Sequence, residues 1–309
     1  MVFRLLHSIY RYAPAPLRKV IIGVSPLARL ILSPFVSRVA IGNGATMFLD
    51  AGDNACFRYL KWGEDYEKTT VSALRQLANG PGRKIFFDVG AAYGFYSLSL
   101  AATVPAERLE RIYAFEPDER GVTALNKSVA HNRFDRLTVE RAIVGDVEGT
   151  ANLLVSHRAS TSNRSFQTDE VAFTTARSVA VRALSIDTYF TNRPTDYIAL
   201  MKIDVEGNEA RVLRGAMDTL RQARGWAIQF EFFPVGMAEV HQSRDALSAL
   251  CAALAPDWVY VERQEQGRME RLNGLPGLFA DMASHKDTPD YRGLGTAANY
   301  IIGRGIAPL

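Results

Sequence analysis

The sequence predicts an α/β fold with a doubly wound, mostly parallel sheet of seven strands. Short apolar segments that suit buried strands alternate with segments of helical period along most of the chain. One continuous apolar run, residues 84–88, ends in Asp88 and then passes through Gly90 and Gly94 into a helical pattern, as a central strand would. The ligand crevice of such a sheet lies beyond the carboxyl ends of its strands. We therefore expect a binding site next to Asp88.

The predicted elements follow one another regularly, and acids stand at or just after the ends of four strands. The strands cover residues 84–88, 112–116, 137–143, 199–204, 226–231, 258–261 and 298–302, and helices cover 119–131, 208–224 and 245–254. The four acids are Asp88, Glu116, Asp204 and Glu231. Ordinary helix caps and solvated helix faces would not place acids there repeatedly. This repetition indicates a functional site at one edge of the sheet.

Two long polar segments interrupt the alternation. Residues 156–177 separate two short strands, 150–155 and 178–182, which we expect to pair antiparallel. Residues 264–296 precede the last strand. Long loops of compact domains often carry binding functions or form lids. We therefore expect both segments to adjoin the cleft and contact the substrate.

The N-terminal part is predicted to add two extensions to a domain that spans residues 81–309. Residues 1–40 form a basic, apolar leader of helical character, and residues 41–80 form a hairpin and a helix. In the hairpin, residues 45–49 would pair with residues 56–60. The helix, residues 64–78, would end at a turn that contains Gly80, Pro81 and Gly82.

The charge of the chain is unevenly distributed. The net charge is +3, and the first 49 residues hold six basic and no acidic side chains, which leaves −3 for the remainder. The body shows no basic run or stripe that would indicate nucleic-acid binding. Two distant cysteines, Cys56 and Cys251, form no CxxC motif, which favours reduced thiols in a reducing compartment, and so a cytoplasmic protein.

The leader has two interpretations. No uncharged apolar run in residues 1–40 reaches the ~18 residues that a membrane-spanning helix needs. Short basic amphipathic helices could instead rest on an anionic membrane surface, which would give peripheral contact at the inner membrane face. Alternatively, the leader is a helical arm that packs on the domain or on a partner chain. We favour the packed arm, and both membrane contact and homo-oligomer formation stay open.

The glycines and the second acid together predict an adenosine-like cofactor. The spacing Gly90-x-x-x-Gly94 differs from the Gly-x-Gly-x-x-Gly of dinucleotide-binding sites, and a structural turn explains it equally well. Glu116, at the end of the second strand and 22 residues after Gly94, is placed to accept hydrogen bonds from both hydroxyls of a ribose. The alternative role for Glu116 is a cap for the helix that opens near Pro117.

Three ordered segments of the chain resemble the FkbM family of S-adenosylmethionine-dependent methyltransferases. They are Asp88-Val-Gly-Ala-Ala-Tyr-Gly94, then Phe115-Glu-Pro117, and then Lys202-Ile-Asp-Val-Glu-Gly-Asn-Glu209 with Val212-Leu-Arg-Gly215. The resemblance implies the seven-stranded, Rossmann-like class I methyltransferase fold and S-adenosylmethionine as the cofactor. One position departs from the family, because Ala92 stands where asparagine is usual.

The resemblance also implies roles for individual cofactor-binding residues. Asp88, Gly90 and Gly94 would line the methionine and ribose side of the cofactor. Ala92 would lie in the same loop, and Glu116 would bind the ribose. Ala142, which follows the third strand, would form part of the adenine wall.

Methyl transfer to a hydroxyl requires a group that removes the hydroxyl proton as the new bond forms. Asp204 and Glu231, on adjacent strand ends, are the leading candidates for the catalytic base and the substrate anchor, and His157 in the polar excursion is an outside candidate. Glu206 points the same way as Asp204 and is expected to bind substrate. Glu209 is expected in the first turn of the next helix, where an acid suits the helix dipole.

The sequence therefore predicts an O-methyltransferase that acts on a hydroxyl of a sugar, a glycan or a glycosylated metabolite. We expect no metal ion, because no histidine or further Asp or Asn follows the acids at a supporting spacing. The alternative is a non-catalytic nucleotide-binding scaffold associated with a membrane-bound biosynthetic complex. Ala92 is the sequence feature that favours this alternative.

Overall fold

The computed structural model describes residues 38–50, 53, 66–156, 164–165, 176–191, 196–286 and 297–309. Its strands are β1 Arg38–Ile41, β2 Ala45–Phe48, β3 Lys84–Val89, β4 Leu109–Phe115, β5 Leu137–Glu140, β6 Ile143–Val144, β7 Gly149–Ser156, β8 Arg164–Ser165, β9 Ala176–Leu184, β10 Ile198–Ile203, β11 Gly225–Phe232, β12 Trp258–Arg263, β13 Arg268–Arg271 and β14 Ala298–Arg304. Its helices are α1 Lys68–Asn79, α2 Phe95–Thr103, α3 Glu119–Asn132, α4 Ile186–Tyr189, α5 Glu209–Arg214, α6 Met217–Gln222, α7 Pro234–Glu239, α8 Arg244–Leu254 and α9 Gly274–Ser284, with 3₁₀ turns at Gly42–Gly44 and Gln264–Gln266.

The main sheet confirms the predicted α/β class. Its strand order is β13-β12-β14-β11-β10-β3-β4-β5, and the five strands from β11 to β5 pair in parallel. Strand β14 is antiparallel to both of its neighbours. All seven predicted strands contribute to this sheet. The sheet nevertheless has eight strands rather than seven, because part of the predicted 264–296 insert forms β13, which pairs with β12.

The central strands are apolar along their whole length because both faces of the sheet are covered. Every residue of β3 and β10 is buried. Successive side chains of a strand point to opposite faces, so Phe86 joins one hydrophobic cluster while Ile85 and Phe87 join the other. The sheet therefore holds its carboxyl-end residues on a rigid, closely packed base.

The third predicted strand, 137–143, is wrong as a single element. Strand β5 ends at Glu140 in the main sheet, and Ile143 begins β6 in a second sheet of order β6-β9-β7-β8. The predicted antiparallel pair in this second sheet is confirmed, since all of β7 pairs with residues 176–183 of β9. The chain thus leaves the main sheet at the position where the adenine wall was expected.

The predicted helix 208–224 is also wrong as a single element, because it consists of α5 and α6. In a continuous helix the Thr219 amide would bond to the Gly215 carbonyl. Here both the Gly215 carbonyl and the Thr219 amide bond to Asp187 instead. The Asp187 amide donates to the Gly215 oxygen at 2.8 Å, and the Asp187 carboxylate accepts from the Thr219 amide at 2.7 Å. A residue distant in the sequence therefore splits the helix.

The N-terminal hairpin differs from the prediction in its partner strand. Strand β2 pairs antiparallel with β1, so the last three residues of the predicted leader, 38–40, belong to a strand. Side chains of α3 fix β2 to the domain, since Ser128 accepts from the Phe48 amide at 2.8 Å and Asn132 from the Thr46 amide at 2.9 Å. The predicted partner strand 56–60, Cys56 and leader residues 1–37 lie outside the described residues.

Two further observations concern the described part of the chain. Cys251 is buried and carries a free thiol, in agreement with the expectation for that cysteine. Among the described residues, the helices are too short or too polar for any of them to cross a lipid bilayer.

Candidate active site

A cleft of about 1030 Å³, counting its solvent-open mouth, lies at the carboxyl ends of β3, β4, β10 and β11. Its walls combine backbone of the loop after β3, aromatic rings and several carboxylates. The described lining residues are Tyr66, Glu67, Val89, Gly90, Ala91, Ala92, Phe95, Tyr96, Phe115, Glu116, Pro117, Ala142, Ile143, Val144, Leu153, Lys202, Asp204, Val205, Glu206 and Glu231.

Asp88 lies below the floor of this cleft and is fully buried. Its Oδ2 accepts hydrogen bonds from the Ser97 amide at 3.1 Å and from the Ser97 hydroxyl at 2.6 Å. Its Oδ1 has no hydrogen-bond partner in the structure and lies 3.8 Å from the ammonium of Lys202. Burial raises the pKa of Asp88, while Lys202 and the Ser97 bonds act to lower it. Asp88 therefore fixes the start of α2 against the end of β3.

Gly90 is required by the close approach of two backbone segments. It has a φ of +77°, and a Cβ atom there would lie 1.9 Å from the carbonyl oxygen of Asp204. A residue with a side chain would push apart the two loops that form the cleft floor. Gly90 also lines the cleft, as the predicted cofactor role requires.

Gly94 has a different local role. Its φ is +80°, and a Cβ atom there would lie 2.2 Å from Cδ1 of Leu125 on α3. Gly94 is absent from the described lining of the cleft. The glycine thus lets the start of α2 pack against α3.

Glu116 is buried, and its carboxylate organises the loop after β3. Oε2 accepts from the Ala92 amide at 2.7 Å, and Oε1 accepts from the Asp118 amide at 2.8 Å. Burial raises the pKa of Glu116 to about 7, although both amides act to lower it. The cap of α3 is Asp118, whose side chain accepts from the Arg120 amide. Each Glu116 oxygen has a second lone pair that can accept a ligand hydroxyl.

Ala92 adopts the left-handed conformation, with a φ of +49°. Asparagine tolerates that region better than alanine does. The Ala92 amide still makes its bond to Glu116, and the half-buried side chain lines the cleft. The departure from the family pattern therefore removes a side-chain amide but keeps the backbone geometry.

Ala142 lies between β5 and β6, where the chain passes from one sheet to the other. It is 1% exposed and lines the cleft together with Phe115, Pro117 and Ile143. These apolar groups line the cleft together with Glu116. Apolar walls of this kind suit the ring system of an adenine.

The loop after β10 is held in shape by Glu209, the first residue of α5. Its Oε1 accepts from the amides of Val205 and Gly207, both at 3.1 Å. Burial raises the pKa of Glu209 to about 7. Glu206, at the tip of this loop, has a φ of +58°, a strained conformation for a residue of its type. The expected place of Glu209 in the first helical turn is confirmed, and its side chain also shapes the loop.

Four carboxylates besides Glu116 line the cleft: Glu67, Asp204, Glu206 and Glu231. Burial raises the pKa of Glu231 well above its ordinary value, and the negative charges of Asp204 and Glu206 raise it further. The Asp204 carboxylate lies 3.4 Å from the Lys202 ammonium. The structure therefore brings Asp204, Glu206 and Glu231 together with Gly90, Ala92, Glu116 and Ala142 in one cleft.

Two charged residues of the cleft were not predicted. Lys202 belongs to a motif that resembles the family, but the sequence alone assigns it no role. A lysine within an otherwise apolar, buried strand is the signal that could have indicated a functional role for it. Glu67 gave no such signal. It precedes α1 with a φ of +45°, and its carboxylate accepts a hydrogen bond from the Tyr96 hydroxyl. Both residues reach the cleft only through the tertiary fold.

The aromatic residues next to the loop after β3 differ in position. Tyr96 and Phe95 line the cleft, whereas the Tyr93 hydroxyl donates to Asp53 at 2.7 Å outside the described lining. His157 lies outside the described residues. Within those residues, no three His, Cys, Asp or Glu side chains are arranged to hold a metal ion.

Comparisons with known proteins agree with the resemblance seen in the sequence. The sequence profile of the Methyltransferase FkbM domain matches residues 88–254, more than half of the 309 residues. Methyltransferase FkbM from Methylobacillus flagellatus KT is 18% identical with a TM-score of 0.39, and the match covers 71% of this chain and 43% of that one. The chain thus spans less than half of that protein's length.

Two other solved structures are similar at lower identity. A Streptococcus mutans protein solved in complex with SAH is 10% identical, with a TM-score of 0.40 and coverage of 76% of this chain and 94% of that one. Trm5b from Pyrococcus abyssi is 13% identical, with a TM-score of 0.38 and coverage of 85% and 53%. No curated protein matches the sequence significantly.

Proposed function

The chain belongs to the FkbM methyltransferase family, and we propose that it is an S-adenosylmethionine-dependent O-methyltransferase that acts on a hydroxyl of a sugar, a glycan or a glycosylated metabolite. The observation that carries this proposal is one cleft in which Gly90 and Glu116 adjoin the carboxylates of Asp204 and Glu231. The first pair suits a nucleoside cofactor, and the second pair suits a hydroxyl group.

Several residues that line the cleft fit the cofactor. Gly90 lines the cleft, and Glu116 keeps lone pairs for two ribose hydroxyls. The apolar residues Phe115, Pro117 and Ala142, which line the cleft, suit contact with the adenine ring. When bound, S-adenosylmethionine supplies an electrophilic methyl group on a positively charged sulfur.

The carboxylates of Asp204 and Glu231 suit the binding of the acceptor hydroxyl and the removal of its proton. Asp204 would orient the hydroxyl by accepting its hydrogen bond, and Glu231 would then take the proton as the oxygen–carbon bond forms. A base works best when its pKa lies near the working pH. Burial moves the pKa of Glu231 upward, in that direction, whereas Asp204 is paired with Lys202. Two neighbouring carboxyl groups in unlike environments can divide the roles of anchor and base in this way.

The same carboxylates support a polyhydroxylated acceptor. Ionised carboxylates accept hydrogen bonds and donate none. Glu67, Asp204 and Glu206 therefore call for a ligand that presents several donors, as the hydroxyls of a sugar do. The rings of Tyr66, Phe95 and Tyr96 give the same region apolar faces against which a sugar ring can pack.

Replacing Glu116 with glutamine should weaken S-adenosylmethionine binding about 10- to 100-fold, because the two ribose hydroxyls lose a charged acceptor. Calorimetric titration of the wild type and the variant measures the difference. Glu119→Gln is the matched control, since Glu119 lies three residues away, is exposed and pairs only weakly with Arg141 at 3.4 Å. Equal affinities of the wild type and Glu116→Gln would exclude Glu116 from the cofactor site.

A further inference from the structure

Lys202 is a buried lysine at the next-to-last position of β10, and its ammonium lies close to three groups at the floor of the cleft. Its ammonium donates to the Gly90 carbonyl at 2.9 Å and lies 3.4 Å from Asp204 Oδ2 and 3.8 Å from Asp88 Oδ1. Its side chain is 4% exposed. A buried lysine is retained only when its charge is paired, and here the partners belong to the cofactor loop and the acceptor anchor.

The sheet register explains how one side chain reaches both loops. Lys202 lies directly between Asp88 on β3 and Gln229 on β11, so the three side chains share one face of the sheet. Gly90 and Asp204 directly follow the last residues of β3 and β10. The ammonium of Lys202 lies against both residues and thereby connects the ends of the two strands.

Lys202 also meets groups from other elements that face the cleft. The ring of Tyr96 on α2 has its centroid 5.3 Å from the ammonium. Burial alone would lower the pKa of Lys202, but the carboxylates of Asp204, Asp88 and Glu67 outweigh it and raise the pKa. The positive charge of Lys202 also acts to lower the pKa of Glu116, which follows β4. Lys202 is therefore charged at neutral pH and faces carboxylates on several sides.

We propose that Lys202 is a positioning residue for methyl transfer, which holds the Gly90 backbone, Asp88 and Asp204 in one unit. This inference rests on the proposed function. Among the described residues, Asp88 Oδ1 has no hydrogen-bond partner, and the Lys202 ammonium is the cation that lies near it. Lys202 thus places a positive charge next to both carboxylates and keeps the cofactor loop at a fixed distance from the acceptor anchor.

The test compares S-adenosylmethionine binding by the wild type, Lys202→Met and Lys202→Arg at pH 6.5 and pH 9. Methionine has a similar shape and lacks the charge. Lys202 acts to lower the pKa of Asp88 and of Glu116, so without the cation both carboxyls would keep their protons to higher pH, and a protonated Glu116 would lose acceptor capacity for the ribose. We therefore expect Lys202→Met to bind about 100-fold more weakly than the wild type at pH 6.5, and about 10-fold or less at pH 9, where Glu116 is ionised again. Arginine keeps the charge, so Lys202→Arg should follow the pH profile of the wild type.

Several outcomes would overturn the proposal. The first is equal affinity of Lys202→Met and the wild type for S-adenosylmethionine. The second is an equal loss of affinity in Lys202→Met at both pH values, because a merely structural role would give that result. The third is a pH profile of Lys202→Arg that follows the profile of Lys202→Met. If Lys202→Met does not fold, Lys202→Gln removes the charge while keeping a donor for the Gly90 carbonyl, with the same expectations. A wild type that binds no cofactor would refute the proposed function and this inference together, whereas wild-type binding with unaltered Lys202→Met binding would refute this inference alone.

Discussion

Glu231→Gln is expected to lower the rate of methyl transfer about 10²- to 10⁴-fold, because it removes the base that accepts the hydroxyl proton. Glutamine has nearly the same shape and can still hydrogen-bond, so the cofactor and the acceptor should still bind. The measurement is kcat and KM for the acceptor, with cofactor binding followed separately. The loss should appear in kcat, since the interaction develops only in the transition state.

The turnover of the wild type should also depend on pH in a definite direction if Glu231 is the base. The pKa of Glu231 is raised by burial and by Asp204, so the base is protonated at low pH and ionised above its raised pKa. Wild-type turnover should therefore rise with pH through that value, and Glu231→Gln should lack this rise. Asp204→Asn removes a neighbouring negative charge, so it should move the rise to lower pH.

The control for this series is Glu265→Gln, which changes an exposed acid beyond the end of β12. It should leave turnover and its pH dependence unchanged. Wild-type turnover in Glu231→Gln, together with a large loss in Asp204→Asn, would assign the base to Asp204 instead.

Gly90→Ala is expected to reduce the free energy of unfolding by about 3 kcal/mol or more and to abolish cofactor binding. A Cβ atom at Gly90 would lie 1.9 Å from the Asp204 carbonyl oxygen, and both groups belong to backbone that is fixed by central strands. The chain would have to separate the ends of β3 and β10 to relieve this clash. Chemical denaturation and a calorimetric titration with S-adenosylmethionine measure the two effects.

Gly267→Ala provides the matched control. Gly267 also has a positive φ, +60°, but a Cβ atom there meets nothing within 4 Å. Its replacement should therefore cost only about 1 kcal/mol, for the backbone conformation alone. If Gly90→Ala is no less stable than Gly267→Ala, the close approach of the two loops is not the reason for the glycine.

The sequence was sufficient to predict the sheet and the acids at its edge, because both follow from local patterns. Buried strands such as β3 and β10 are continuous apolar runs, and Asp88, Glu116, Asp204 and Glu231 directly end or follow such runs. The carboxyl ends of parallel strands meet at one edge. Glu116 and Asp204 could therefore be placed in one cleft without knowledge of tertiary contacts.

Features that depend on contacts between distant residues were not predictable. The split between α5 and α6 depends on Asp187, and the local role of Gly94 depends on Leu125. Glu67 reaches the cleft from the N-terminal extension, and Lys202 appears in the sequence as one polar residue in an apolar strand. Such residues take on their roles only when the chain is folded, which is why the unpredicted part of the site lies around Lys202.

The most direct test of the proposed activity is the transfer of a labelled methyl group. S-adenosylmethionine labelled on its methyl group is incubated with the protein and an extract of cells that lack its gene, and the label is then traced by chemical fractionation and mass spectrometry. We expect the label to be recovered as an O-methyl group on a sugar-containing product, and Glu231→Gln to abolish most of this incorporation. Label that is absent from the sugar fraction, or that is found instead in nucleic acid or protein, would contradict the proposed function.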